Sequence, residues 1–139
     1  MERIRFPKIT RGDLFYVDFG NNPDSVASGV HPAMVIQNNV GNWHSRSVIV
    51  AIITTGIETI NHPIHIPLLG RFGLHIKSVL LMDKLYTVDK TKIGNYIGHA
   101  SNHLLSTVDE SLAASVGLTI MKRSHREKKA HNQRSTQET

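Results

Sequence analysis

Two groups of residues in the first half of the chain could carry proton-transfer or phosphate-binding chemistry. His31 directly precedes Pro32 at the start of an apolar segment, and the proline ring restricts the residue before it to extended conformations. Imidazole gains and loses a proton near neutral pH, so His31 is a candidate acid or base. Thr54 and Thr55 end a second apolar segment, a place where site residues are common. The structural alternatives are a half-buried histidine bonded to a loop carbonyl and threonines that only end a strand.

The remaining histidines do not predict a metal site, although the chain contains nine histidines in all. His62 and His65 are three residues apart in a predicted strand, so their side chains point to opposite faces. His99 and His103 lie in a segment with poor helical propensity, and no nearby carboxylate completes a metal site with them. Since zinc sites usually have three or four ligands, we predict neither a metal nor a cofactor. The absence of cysteine also excludes disulfide bonds and cysteine nucleophiles.

The net charge of +5 is concentrated at the C-terminal end of the chain. Residues 122–139 contain six Lys or Arg and two Asp or Glu, whereas residues 1–121 contain ten and nine. Residues 122–139 also lack any apolar side chain larger than alanine, which predicts a disordered basic tail. Residues 1–121 predict one nearly neutral domain, so RNA binding by this domain must depend on particular residues rather than on overall charge.

Neither a secretion signal nor a membrane span is predicted. The N-terminal residues lack the apolar stretch of a signal peptide, and no apolar run approaches 18 residues. We therefore expect a cytoplasmic protein without membrane contact.

Short apolar segments predict five or six β-strands that position the candidate residues. In the first of them, Phe15, Val17 and Phe19 alternate on one face. A long loop is predicted over residues 21–32 and a turn over residues 38–45. The predicted strands lie in residues 11–20, 33–37, 48–53, 62–68 and 78–88, of which 62–68 is a proline-bounded edge strand.

Helical spacing appears only in the last third of the chain. Residues 107–110 read T-x-x-E, which is a capping box, and Gly117 can end the helix that follows. Asp89 is a candidate cap for a shorter helix over residues 90–96. Strands followed by a helix predict a small, strongly bent antiparallel sheet or barrel with the helix packed on it.

The order of these segments resembles the PemK/MazF family of toxins from toxin–antitoxin modules. Members typically read RGD or RGE at the first strand, then G-x-R-P-hydrophobic-I-Q-N-x-x-G-N and V-I-V-A-x-I-T. A later segment reads V-L-L-acidic-Q-hydrophobic-R-T-hydrophobic-D-K, and the helix ends in S-L-G-L. The corresponding segments here are 11–13, 29–42, 48–54, 79–90 and 115–118.

The resemblance implies a fold, an activity and partners. The fold is the SH3-like barrel of the PemK/MazF/CcdB toxins, with a C-terminal helix, usually in a homodimer. The activity is ribosome-independent, sequence-specific cleavage of single-stranded RNA without a metal, which leaves a 2′,3′-cyclic phosphate and a 5′-OH. The expected partners are single-stranded RNA and a cognate antitoxin.

The resemblance also assigns site residues. His31 and Thr54 correspond to the catalytic pair, in which the family carries arginine at position 31. A second family arginine is replaced by tyrosine at position 86. Arginine binds phosphate through two N–H groups, whereas histidine can transfer protons and tyrosine can stack on a base. The residues that the resemblance assigns to substrate binding are Ser28, Gly29, Thr55, Asp83 and Tyr86.

Two alternatives stay open because of the replaced arginines and the shared barrel. The chain could be a catalytically decayed member that binds RNA or a protein, or it could resemble the gyrase-poisoning toxins. The G-V-H-P and V-I-V-A-I-I-T segments favour the nuclease branch.

Overall fold

A six-stranded antiparallel sheet and a C-terminal helix form the fold in the computed structural model, which describes residues 8–21 and 27–119. The strand order is β4-β5-β3-β2-β1-β6. This architecture confirms the predicted mainly β fold with a helix after the strands. The strands are β1 (Asp13–Asp18), β2 (Val30–Val35), β3 (Ser47–Thr54), β4 (His65–Pro67), β5 (Val79–Asp89) and β6 (Ile93–His99), and the helices are α1 (Asn39–His44) and α2 (Asn102–Ser115).

The sheet bends within β5, which is the longest strand. Its two halves pair with β3 in different registers, because Ala51 lies opposite Leu85 whereas Ile53 lies opposite Leu80. One β3 residue therefore faces four β5 residues, and an insertion of this kind turns the strand sharply. The bend carries the second half of β5 toward the end of β1, although β3 and β2 separate these strands in the sheet.

The two faces of the sheet form separate cores. Because side chains alternate along a strand, Leu14 and Met34 pack with Leu104 and Val108 of α2. The opposite face lies inside the bend. Its buried side chains include Phe15, Val17, Ala33, Val35, Val48 and Val50, with Tyr86 packed against them.

Strand β2 begins three residues earlier than predicted, at Val30 rather than at residue 33. His31 and Pro32 therefore lie within the strand and not at the end of the loop. The extended backbone that proline imposes on His31 allows both residues to pair with β1. The ladder with β3 starts only at Ala33, so the missing N–H of Pro32 lies outside it.

The predicted turn at residues 38–45 contains the short helix α1. The Asn38 side chain caps this helix by accepting a hydrogen bond from the Gly41 N–H at 2.9 Å. The buried Asn42 side chain donates to the Gln37 carbonyl at 2.9 Å. The amides of this motif therefore stabilise a helical turn, which local composition alone did not distinguish from an open turn.

Helix α2 begins at Asn102, five residues before the predicted capping box at residues 107–110. Ser101 is the actual cap, because its Oγ accepts a hydrogen bond from the Leu104 N–H at 3.2 Å. The predicted end at Gly117 is correct. Gly117 adopts a φ of +76°, the left-handed conformation that commonly ends a helix.

The predicted helix over residues 90–96 is wrong, although its predicted cap is right. The Asp89 side chain accepts a hydrogen bond from the Thr91 N–H at 2.9 Å, but the helical turn covers only Lys90–Lys92. Strand β6 follows and pairs with β1, where Tyr96 lies opposite Phe15. Long-range pairing with β1 thus determines the conformation of this segment.

No helix in the described part of the chain is long and apolar enough to cross a membrane. The predicted tail at residues 122–139 and the predicted domain boundary at residue 121 lie outside the described residues.

Candidate active site

The R-G-D motif anchors one end of β1 and lies away from its loop end. Arg11 pairs with Asp109 of α2 at 2.8 Å and donates from Nε to the Ile36 carbonyl at 2.9 Å. The buried Asp13 binds the Nδ1 of His99 at 2.7 Å. These contacts join β1 to α2, to the end of β2 and to β6, so the motif has a structural role.

His31 projects from β2 on the side that carries Ala33. Its half-buried ring places Nε2 2.8 Å from the carbonyl oxygen of Ser28. Because a carbonyl oxygen can only accept, Nε2 is the donor and Nδ1 is the basic nitrogen of the neutral ring. The ring also meets Phe19 edge to face, with centroids 6.1 Å apart. His31 therefore forms the hydrogen bond to a loop carbonyl that the sequence predicted as its structural role. This hydrogen bond also selects the tautomer in which Nδ1 can accept a proton.

Ser28 and Gly29 contribute main-chain atoms to the surroundings of His31. Gly29 has a φ of +79°, which favours glycine. Its N–H donates to the Gly20 carbonyl at 2.7 Å, and its carbonyl accepts from the Phe19 N–H at 2.9 Å. These two hydrogen bonds between the chain segments fix the Ser28 carbonyl beside the His31 ring.

Thr54 ends β3 at the same end of the sheet as His31. By alternation, its half-buried side chain lies on the side that carries Val50 and Ile52. The register pairs Ala33 with Ile52, and extending it by two residues aligns His31 with Thr54. Both side chains therefore face the same side of neighbouring strands. The Thr54 Oγ1 accepts a weak hydrogen bond from the Gly56 N–H at 3.4 Å.

Tyr86 reaches the same region from β5. It lies opposite Val50, and its ring meets Phe19 edge to face with centroids 5.4 Å apart. Phe19 consequently lies between the rings of His31 and Tyr86. The sequence assigned Phe19 only to the alternating apolar face, and the separation of these three residues along the chain gave no signal of their contact.

A cleft of about 330 Å³ opens beside Tyr86 and Phe19. Charged residues at its wall are Asp18, Asp89 and Lys92. Of the predicted catalytic and substrate-binding residues, Tyr86 lines this cleft, whereas His31 and Thr54 lie outside its wall. The pKa of Asp89 is held below its ordinary value, first by the hydrogen bond from the Thr91 N–H and then by that from the Thr91 hydroxyl.

The other two predicted substrate-binding residues have different surroundings. Thr55 is exposed in the loop after β3. Asp83 lies at the bend of β5, 3.5 Å from the Nε2 of His65. The Asn61 N–H donates to Nδ1 of His65 at 3.1 Å, so Nε2 carries the proton of the neutral ring. The structure groups Asp83 with His65 rather than with the three aromatic rings. Among the described residues, no group of three or more His, Asp or Glu is arranged to hold a metal ion.

Comparison with known proteins assigns the chain to a family. The model of the PemK-like, MazF-like toxin of type II toxin–antitoxin systems matches residues 10–116. The chain belongs to this toxin family. The endoribonuclease EndoA of Bacillus subtilis (strain 168) is 35% identical over 111 residues, which are 79% of this chain and 96% of EndoA. The endoribonuclease MazF of Staphylococcus epidermidis is also 35% identical over 111 residues, 79% of this chain and 92% of that protein.

Solved structures of the PemK/MazF type share the fold. One is a mycobacterial endoribonuclease in complex with its cognate antitoxin, with a TM-score of 0.67 and 24% identity over 81% of this chain and 98% of that one. A MazE–MazF structure from Deinococcus radiodurans has a TM-score of 0.65 and 18% identity over 81% of this chain and 99% of that one. In the present chain, the G-V-H-P motif begins one residue before β2 and continues into it. The V-I-V-A-I-I-T motif lies on the neighbouring strand β3.

Proposed function

We propose that this PemK/MazF-type toxin is an endoribonuclease that cuts single-stranded RNA at specific sequences without a ribosome or a metal. The observation that carries the proposal is the pairing of Ala33 with Ile52, from which alternation places His31 and Thr54 on one side of β2 and β3. Both stand at the positions that the family motifs assign to catalysis. The 35% identical relatives are named endoribonucleases.

The proposed reaction is an internal transesterification of the RNA chain. Nδ1 of His31 accepts the proton of a ribose 2′-OH, whose oxygen forms a bond to the adjacent phosphorus. The bond from phosphorus to the 5′-oxygen breaks, and the imidazolium returns its proton to that oxygen. The products are a 2′,3′-cyclic phosphate and a 5′-OH. The Thr54 hydroxyl donates a hydrogen bond to a phosphate oxygen on which negative charge increases.

Histidine at position 31 is suited to proton transfer, whereas the family's arginine at this position is suited to phosphate binding. Arginine would hold the phosphate through two N–H groups but would be a poor proton acceptor. The bond from Nε2 to the Ser28 carbonyl leaves Nδ1 as the basic nitrogen, which supports proton transfer more than phosphate binding.

A second candidate is an RNA- or protein-binding module that no longer cuts. Tyr86 stands where the family carries its second arginine, and Asp18 and Asp89 line the neighbouring cleft. Tyrosine carries no positive charge, so this position contributes less to binding a phosphate than arginine would.

We propose that the toxin acts in the cytoplasm as a homodimer and is inhibited by a cognate antitoxin. One structural relative is a complex of an endoribonuclease with its antitoxin. The RNA substrate would be present in the same compartment.

The proposal is tested by incubating the pure protein with a long single-stranded RNA in EDTA and identifying the new ends. We expect 2′,3′-cyclic phosphate and 5′-OH ends at a restricted set of sequences. Binding of the RNA without any new ends would favour the second candidate. Cleavage that EDTA abolishes would contradict the metal-free mechanism.

A further inference from the structure

The cleft beside Tyr86 has the size, the ring and the polar groups that a nucleobase requires. Its volume of about 330 Å³ lies at the lower end of the range for small-molecule sites. Tyr86 and Phe19 provide aromatic surface in its wall, and bases stack on such rings in single-strand binding sites. Because Phe19 also touches His31, the cleft adjoins the proposed catalytic residue.

The charged groups of the cleft restrict which base fits. Asp18 is one of the residues of the wall, and its Oδ1 accepts a hydrogen bond from the Gly20 N–H at 2.9 Å. Asp89 is ionised at neutral pH, since hydrogen bonds from Thr91 favour its charged form. Carboxylates accept hydrogen bonds from exocyclic amino groups, as in the pairing of aspartate with the N4 of cytosine. Uracil has a carbonyl oxygen at position 4 in place of this amino group, and that oxygen would face negative charge.

We propose that this cleft binds an RNA base with an exocyclic amino group and rejects uracil, next to the bond that is cut. Tyr86 supplies the stacking surface and Asp18 accepts from the amino group. Lys92, also at the wall, supplies a positive charge for a flanking phosphate. The inference rests on the proposed function because it names a feature of the RNA at the same site.

Binding to oligonucleotides that cannot be cut separates the cleft from catalysis. Cytosine and uracil differ at position 4, an amino group against a carbonyl, so oligo(dC) and oligo(dU) of equal length are matched probes that lack the attacking 2′-OH. By fluorescence anisotropy, we expect the wild type to bind oligo(dC) at least about 5-fold more tightly, the lower limit of a good base contact. Asp18→Asn should bring this ratio close to one, because its amide can donate to the uracil carbonyl.

Two further variants identify the group responsible. Glu110→Gln removes one negative charge from the exposed surface of α2 and should leave the ratio unchanged. Tyr86→Ala should weaken binding of both probes by about 5-fold or more and leave their ratio intact, because stacking tolerates every base.

Sequencing of the cut sites in a random RNA pool provides the second measurement. The wild type should show uracil depleted at one position beside the cut bond, and Asp18→Asn should restore it. Equal affinity for the two probes, or a ratio that Asp18→Asn does not change, would overturn the base assignment even if RNA is cut. A clear preference for oligo(dC) in a protein that cuts no RNA would support the cleft and refute the nuclease proposal.

Discussion

The two ends of β1 are stabilised in different ways. At the Asp13 end, the carboxylate is buried and binds both His99 and the Thr10 N–H, while the neighbouring Arg11 pairs with α2. At the other end, Asp18 is exposed and the following Phe19 meets two other rings edge to face. The first end joins elements of the fold, and the second presents side chains to a cleft. We therefore expect substitutions at the first end to change stability and those at the second to change activity.

The largest expected effect is on the activity of His31→Ala. Loss of a positioned general base typically lowers the rate about 100- to 10,000-fold, and the melting temperature should change little because the ring is only half-buried. His31→Arg should restore phosphate binding but only part of the rate. His44→Ala, which removes an exposed imidazole from α1, is the control.

The pH dependence of cleavage adds a second test of His31. The rates of the wild type and of His31→Arg should depend differently on pH, because arginine keeps its proton whereas histidine is the proposed proton acceptor. An unchanged rate in His31→Ala would assign the ring a structural role alone. Cleavage by His31→Arg but not by the wild type would show that the natural site has decayed.

Thr54→Val should lower the cleavage rate about 100- to 1,000-fold, the typical cost of one hydrogen-bond donor in a pre-organised site. Valine keeps the shape and the strand preference of the side chain, so unfolding by urea should be nearly unchanged. Thr107→Val, on the exposed surface of α2, is the matched comparison. If both variants cut RNA at the wild-type rate, Thr54 has no part in the reaction.

Asp13→Ala tests the opposite end of β1. It removes a buried acceptor from the Thr10 N–H and from His99, which should lower the free energy of unfolding by about 2 kcal/mol. Asp109→Ala breaks an ion pair whose aspartate is more than half exposed, so its expected cost is below about 1 kcal/mol. Urea denaturation measures both. Equal losses in the two variants would contradict the distinction between buried and exposed partners.

The smallest expected effect concerns Asp89 and acid. Its pKa is lowered in the folded state by the hydrogen bonds from Thr91, so the folded protein favours the charged carboxylate. The resulting stabilisation is present above the ordinary pKa and is lost as the pH falls through the lowered one. Asp89→Asn should therefore reduce the difference in melting temperature between neutral solution and pH values below about 4. An identical acid response in the wild type and the variant would assign the acid sensitivity to other groups.

Alternation and apolar runs predicted most of the sheet because these patterns depend on local burial. They missed β6, whose Gly94, Asn95 and Gly98 are typical of turns and which pairs with β1 across a long sequence separation. They also placed the start of α2 too late, because the motif at residue 107 resembled a cap more closely than Ser101 did. The domain boundary at residue 121 and the disorder of the tail stay predictions.

The candidate site was predicted only where it depends on local sequence patterns. Motif spacing identified His31, Thr54 and Tyr86, and the alternation of β2 and β3 suffices to put the first two on one side. The contact of Tyr86 with Phe19 depends on the bend of β5, which arises from pairing with both β3 and β4. No local pattern specifies that bend, so neither the role of Phe19 nor the cleft could be predicted.

The position of Phe19 between two rings also bears on how such a site can evolve. Under the proposed correspondence with the family motifs, His31 and Tyr86 stand where other members carry arginine, and both touch the same phenylalanine. Substitutions of residues that share a packing partner are seldom additive, so the effect of changing one should depend on the identity of the other. An ancestor with both arginines would therefore have reached this arrangement through coupled replacements, and each intermediate would have had to accommodate the same central ring.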